Sequence, residues 1–303
     1  MKFIKNTEDY IKIPDGYEQK FAHEPFASTS LSAMVSYKES GIIENKDIKI
    51  LDFIYTFSFV TYEQLERFCT QNNINELDGR LETLYTSVAI NKMFLVDIER
   101  YQGPIPSNSK VFYCLADGGR QLLERFGDRN YINWEQGSNL CSSRTIGKNV
   151  LDAEIYLRMN EVGKELTNYE KKPLYNFRGT PLSVEGVFRF KNGSGSDYII
   201  TDIIRKNERI DEVRDKIRKY ESLLCTNIWK KYYPDAIRQP LLLIITDNEE
   251  EALNYSREIT QTTKMEVFLI STDDRIRMGI DVEGSVMQYD KNDDCLYETK
   301  YEF

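Results

Sequence analysis

Apolar residues fall at helical spacing early in the chain and at strand spacing later. Ile50, Leu51, Ile54 and Phe57 lie on one face of a 3.6-residue repeat and predict a helix. Thr61-Tyr62-Glu63-Gln64 follows, a capping-box pattern in which the Thr61 hydroxyl can accept the Gln64 amide. It predicts a second helix to about Thr70, with Leu65 and Phe68 turned inward. Asn75 is a candidate cap for a third helix, which Leu77, Leu81, Leu84 and Val88 carry to about Val88. Phe94, Val96 and Ile98 then alternate with Leu95, Asp97 and Glu99 as in a strand. "QGPIPSNSK" reads as a loop and Val111 to Leu115 as the returning strand. Asp117 can cap a closing helix with Leu122, Leu123 and Phe126. Three helices, a hairpin and a closing helix describe a winged helix-turn-helix.

The second half changes period. Ile146 to Leu166 predicts an amphipathic helix with Glu154 inside its apolar stripe. Pro181 to Phe190 and Asp197 to Lys206 predict strands joined by the turn "KNGSGSD", with "LYNF" at Leu174 to Phe177 as a first strand. Glu208 to Tyr232 predicts a long basic helix, and "LLLIIT" at Leu241 to Thr246 a strand from the middle of a sheet. Asp247 to Glu250 opens another helix, Val267 to Thr272 forms the next strand, and short strands close the chain at Val286 to Tyr289 and Leu296 to Tyr301. The fold class is α/β (α+β), divided as an N-terminal arm (1–46), a winged helix-turn-helix domain (47–127), a linker (128–145) and a C-terminal α/β domain (146–303).

Composition narrows the chemistry. No window approaches the ~20 apolar residues of a membrane span, so a membrane location is not expected. The first ten residues lack the apolar core of a secretory signal, and five scattered cysteines suit reduced thiols, so a cytoplasmic protein is expected. The net charge of −9 weighs against a strong nonspecific grip on phosphate. A single histidine, His23, read as a surface or packing residue, removes His-based metal sites and Ser-His-Asp systems. Neither a Walker A loop nor GxGxxG is present, and Gly118-Gly119 reads as a helix start or turn.

A winged helix places its third helix in the major groove and its hairpin tip on the backbone or minor groove. The polar candidates for contact with double-stranded DNA are Asn75, Arg80, Thr83, Ser87, Lys92, Arg100 and Lys110. Residues 47–127 hold eleven acidic and eight basic side chains, a net of −3, and Glu76, Asp78 and Glu82 are poor neighbours for phosphate. A winged helix that binds only protein therefore stays open.

The C-terminal order α-β-β-β-α-β-α-β resembles the restriction-endonuclease-like core of the PD-(D/E)XK nucleases. That resemblance implies Mg²⁺ held by hard carboxylate oxygens, with a lysine placing the attacking water. The matching positions are Glu154, Glu185 and Asp202, with Ile204 where the motif has its lysine. Lys206 or Lys216 could reach in; the acids could instead pair with the basic helix from Arg209 to Lys219.

Over residues 48–272 the chain resembles the replication-relaxation family of bacterial plasmids, phages and conjugative elements. The resemblance rests on "ILDFIYTFSFVTYEQLERF", "YCLADGGRQLL", "VEGVFRF" and "DKIRKY". It implies a DNA-binding accessory or regulatory protein of replication, transfer or transcription, with a degenerate nuclease-like domain and no cofactor. A protein partner in a replication or transfer complex and a homodimer are further expectations. The alternatives are a Mg-dependent DNA nuclease with a relocated lysine and a protein-interaction scaffold.

Overall fold

The protein is described by a computed structural model, for residues 17–97, 110–131, 134–177, 180–206, 208–265 and 268–302. It is an α+β chain of two compact units, which divide between Ala153 and Glu154.

The first unit opens with β1 (Tyr17–Phe21) and α1 (Leu31–Glu39). Ser30 caps α1, its hydroxyl accepting from the Ala33 amide at 3.2 Å. The order continues with α2 (Asn45–Phe57), β2 (Phe59–Val60), α3 (Tyr62–Gln71), α4 (Leu77–Thr86), β3 (Ile90–Asp97), β4 (Lys110–Leu115) and α5 (Asp117–Phe126). The four strands lie in the order β1-β3-β4-β2. Ile50, Leu51, Ile54 and Phe57 are all buried, as the helical spacing predicts.

The capping box at Thr61 forms in both directions. Thr61 Oγ1 accepts the Gln64 amide at 3.2 Å, and Gln64 Oε1 accepts the Thr61 amide at 3.2 Å. Gln64 is fully buried, and its Nε2 also donates to the Val150 carbonyl at 2.8 Å.

Three local details depart from the expectations. Glu76, not Asn75, holds the N-cap position of α4, in the left-handed region at φ 62°. The helix stops at Thr86, because Val88 turns left-handed at φ 59° and the Ala89 amide bonds back to the Leu84 carbonyl at 2.8 Å. Ala116, not Asp117, holds the N-cap position of α5; Asp117 instead pairs with Arg120 at 3.0 Å.

The segment expected as a linker is packed. Tyr131 and Trp134 are buried, and the side chain of buried Asn139 donates to the Leu115 carbonyl at 2.8 Å. Two aromatic rings in a polar, aperiodic stretch supply enough apolar area to anchor it. From there α6 (Ser143–Glu161) begins.

The second unit holds β5 (Leu166–Lys171), β6 (Leu174–Phe177), β7 (Thr180–Ser183), β8 (Gly186–Asn192), β9 (Gly195–Ile203), α7 (Ile210–Leu224), α8 (Trp229–Tyr232), β10 (Leu241–Thr246), α9 (Glu249–Thr262), β11 (Leu269–Thr272), α10 (Asp273–Ile276), β12 (Val286–Asp290) and β13 (Cys295–Thr299). Seven strands form one sheet in the order β13-β12-β11-β10-β9-β8-β5. Strands β9, β10 and β11 run parallel, and the remaining neighbours are antiparallel.

The first strand of the sheet is therefore β5, whereas "LYNF" forms β6 of a separate two-stranded hairpin with β7. The expected strand from Pro181 to Phe190 breaks at Val184 and Glu185, so β7 belongs to that hairpin and β8 to the sheet. The expected helix from Glu208 to Tyr232 is two helices, α7 and α8.

On one sheet face Val187, Ile200, Ile204, Leu242 and Ile244 pack against Val213, Ile217 and Tyr220 of α7 and Ala252 and Ile259 of α9. Side chains alternate along a strand, so Phe188, next to Val187, lies on the opposite face. The Tyr169 ring lies tilted against Phe188 there, and Tyr156 of α6 tilted against Tyr169.

Candidate functional site

Asp202 lies on β9 between Ile200 and Ile204, and alternation puts all three on the face that α7 covers. Gly186 of β8 pairs with Thr201, and the Glu185 amide donates to the Thr201 carbonyl at 3.1 Å. The chain thus brings Glu185 beside Asp202 one residue beyond the paired register. Asp202 is fully buried, and its Oδ1 accepts from Lys216 Nζ at 2.5 Å. Lys216 arrives from the second turn of α7, which folds back over β9 after the turn that follows it. Lys172 Nζ stands 3.9 Å from Glu185 Oε2 on the other side of the pair.

Electrostatics couple these groups. Burial works against the charge of Lys216, but the adjacent Asp202 carboxylate, with help from Glu185 and Glu208, outweighs it and holds the amine above its usual range. Tyr220 is buried alongside. Burial first, and then the charge of Asp202, pushes its phenol far above the ordinary value. The Tyr220 hydroxyl lies beside the carboxylate, and neither it nor the buried Asp202 Oδ2 meets a further polar group.

The third expected carboxylate is elsewhere. Glu154 is buried on α6 and bonds to Arg158 Nε at 3.0 Å. The rings that α6 packs against lie on the sheet face opposite Asp202, so the strands stand between the two acids. Ile204, at the motif's lysine position, is core. Arg205 points away and binds Asp273 at 2.8 Å and Asp247 at 2.9 Å. Among the described residues no three His, Cys, Asp or Glu side chains are grouped to hold a metal. Mg²⁺ prefers an octahedron of oxygens; here an ammonium takes one of the few oxygens present. The residues do not fit the metal site that the nuclease resemblance implies, and Glu154, Glu185 and Asp202 are corrected to two separate ion-paired groups.

Beside Lys216 lies a cavity of about 290 Å³, lined by Pro181, Leu182 and Ser183 of β7 and by Glu212, Asp215, Lys216 and Lys219 of α7. The other strand of the same hairpin meets α8. The Tyr175 and Tyr232 rings are 5.0 Å apart, and the Tyr232 hydroxyl donates to the Asn176 carbonyl at 2.7 Å. In α8 the exposed Lys230 lies over Trp229 at 5.4 Å and the exposed Lys231 over Tyr232 at 5.6 Å. Neither lysine takes part in an ion pair among the described residues.

The candidates in the first unit fare differently from one another. Arg80 turns inward from α4, its Nη1 3.0 Å from Asp47 Oδ2 and 2.9 Å from Glu44 Oε1. Lys92 is buried with its amine 4.5 Å over the Tyr85 ring, and burial lowers its pKa. Ser87 is buried and donates to the Leu84 carbonyl at 3.1 Å. These three are corrected to structural roles. Asn75 is exposed, and Thr83, half-buried, donates to the Gly79 carbonyl at 2.9 Å. Arg100 and the side chain of Lys110 lie outside the described residues. The exposed positions of α4 and its cap include Glu76, Asp78 and Glu82, with no cation among them. His23 stacks on Tyr85, ring centres 4.1 Å apart.

The nuclease resemblance singled out Glu185 and Asp202 but left Lys216 as one of two options. The signal that selects it is the apolar spacing of Val213, Ile217 and Tyr220, which turns Lys216 toward the same strand face.

The class these features define is a two-unit α+β protein in which, among the described residues, no helix is long and apolar enough to cross a membrane. No family model matches the chain, and no curated protein does. In structure it is similar to the crystal structure of protein VC1899 from Vibrio cholerae, with a TM-score of 0.30, 9% identity and coverage of 87% of this chain and 56% of that one. The chain thus spans little over half of that protein, and a likeness of this degree carries no argument.

Proposed function

We propose that this chain is a cytoplasmic DNA-binding accessory or regulatory protein of a bacterial mobile element, with a nuclease-like second unit that binds DNA and does not cut it. The mobile-element part of the reading comes from the resemblance of the sequence. The observation that carries the DNA contact is the corner formed by α8 and the cavity along the β6–β7 hairpin. Lys230 and Lys231 are exposed there without acidic partners and lie over aromatic rings. Lys216 and Lys219 also line the cavity, but they are paired with Asp202 and Asp215, so the contact rests on Lys230 and Lys231. Lysines beside aromatic faces suit a phosphate backbone and its bases. Loss of cleavage follows from the ion pairing of Asp202 with Lys216 and the separate pairing of Glu154 with Arg158.

The experiment is fluorescence anisotropy of labelled duplex and single-stranded DNA across a salt series. Binding that weakens with salt, and weakens further in Lys230→Ala/Lys231→Ala, is expected. Absence of binding at low salt, or binding indifferent to both lysines, ends this assignment.

A second reading concerns the first unit alone: a winged helix that meets protein rather than DNA. It is favoured by the acidic surface of α4 and by the inward turn of Arg80. Charge reversal of Glu76 and Glu82 to Lys should leave DNA affinity unchanged on this reading, and should raise it if α4 approaches the groove.

A further inference from the structure

A buried carboxylate needs a counter-charge, which a side chain or a bound ion can provide. Here Asp202 is fully buried, one of its oxygens bonded to Lys216 Nζ at 2.5 Å and the other without a hydrogen-bond partner. Glu185 sits beside it with its side chain largely shielded, and its charge also acts on Lys216. Two adjacent carboxylates are what a divalent cation would seek, yet the Lys216 ammonium already pairs with Asp202, and Lys172 stands 3.9 Å from Glu185.

We infer that Lys216 is the built-in cation of this acidic pair: it excludes divalent metal from Glu185 and Asp202, and its removal opens a metal site there. Three points support the inference. Lys216 lies on the α7 face that carries Val213, Ile217 and Tyr220, its side chain 26% exposed and its amine bonded to Asp202. Asp202 Oδ2 meets no second cation; the Tyr220 hydroxyl, which carries no charge, stands beside it. The cavity of about 290 Å³ is lined by Lys216 itself, so solvent stands at the place its side chain would vacate. Hard oxygen ligands with retained waters suit Mg²⁺ or Mn²⁺. The inference rests on the reading that this core does not cleave.

The test uses the full chain, Mn²⁺ as the probe and no nucleic acid. Bound Mn²⁺ is counted by electron paramagnetic resonance, and thermal unfolding is followed with and without the ion. Wild type is expected to bind no Mn²⁺ at this site. Lys216→Met is expected to melt lower than wild type, to bind one Mn²⁺ and to recover a large part of the loss when the ion is added. Asp202→Asn in the Lys216→Met background should abolish binding and recovery. Lys216→Gln, which keeps a donor and most of the length, provides a milder variant, and should respond to Mn²⁺ in the same direction. Asp202-dependent Mn²⁺ binding by wild type overturns the inference. So does failure of both variants to bind or be restored by Mn²⁺. Mn²⁺-dependent cleavage of DNA by wild type would instead overturn the reading of a non-cleaving core, and is measured separately.

Discussion

Arg80 on α4 and Asp47 on α2 form a bridge of 3.0 Å across the first unit, with Asp47 fully buried and Arg80 largely so. The bridge takes the one basic residue of α4 off its surface. Asp47 Oδ2 also accepts the Glu44 amide at 2.7 Å, closing the capping box of α2, while Oδ1 is buried without a partner. Burial raises the pKa of Asp47; the Glu44 amide and Arg80 pull it back only in part.

Arg80→Ala should therefore destabilise the first unit by about 3–5 kcal/mol at neutral pH, since it strands a buried carboxylate. The Asp47 pKa, already raised, should rise further in the variant. A protonated carboxyl needs no partner, so the deficit relative to wild type should be full above that pKa and shrink as pH falls through it. Urea denaturation at pH 7.5 and pH 5 checks both size and direction. A loss below about 1 kcal/mol, or one that grows toward pH 5, would contradict the bridge.

Thr61→Ala should cost about 1 kcal/mol through loss of the N-cap of α3. Gln64→Ala should cost more, about 1–2 kcal/mol, because it also removes the buried bond that Gln64 Nε2 donates to the Val150 carbonyl. Equal melting temperatures for the two variants would show that the bond to Val150 contributes nothing.

Val88 is a β-branched residue at φ 59°, a conformation that costs an L-residue roughly 1–2 kcal/mol. Asn tolerates it, so Val88→Asn should raise stability by about 0.5–1 kcal/mol, less whatever packing its half-buried side chain provides. The opposite holds at Gly119, where an added Cβ would stand 2.2 Å from the Ala89 carbonyl oxygen. Gly119→Ala should destabilise by at least 1–3 kcal/mol, as overpacking does. Differential scanning calorimetry of the two variants should move in opposite directions.

In the salt series, removing one lysine that meets a phosphate should reduce the slope of log affinity against log salt by about 1. Lys230→Ala/Lys231→Ala should therefore flatten it by up to about 2, whereas Asn75→Ala/Thr83→Ala should leave it unchanged. The reverse pattern would move the DNA interface to α4.

What the sequence made legible was local. The cap at Thr61, the apolar face of α2, the buried strand from Leu241 and the Asn248 cap of α9, whose side chain accepts from the Glu251 amide at 3.0 Å, depend on residues three or four apart. The errors came from partners far along the chain. Arg80 meets Asp47 from 33 residues away, which turns a candidate DNA contact into a structural ion pair. Lys92 was a candidate for DNA contact as a polar residue, but it is buried with its amine over the Tyr85 ring. Val184 and Glu185 look like the middle of a strand by propensity, yet the chain leaves one sheet there and enters another. Glu185 and Asp202 were legible because adjacent strands bring them together. Glu154 was misplaced because periodicity gives the face of a helix but not the side of the sheet it covers.

The strand Tyr17–Phe21 pairs along β3 from Asp97 to Met93, and so comes from more than 70 residues upstream to finish the four-stranded sheet. A truncated protein starting at Asp47, where the sequence alone places the start of the domain, would lose that partner and with it α1, whose Met34 is buried. The outer rim of β3 would then offer a row of open amides and carbonyls to any second molecule. Such a fragment should aggregate by strand addition, and its low solubility would reflect the missing arm, not a defect in the helices that remain.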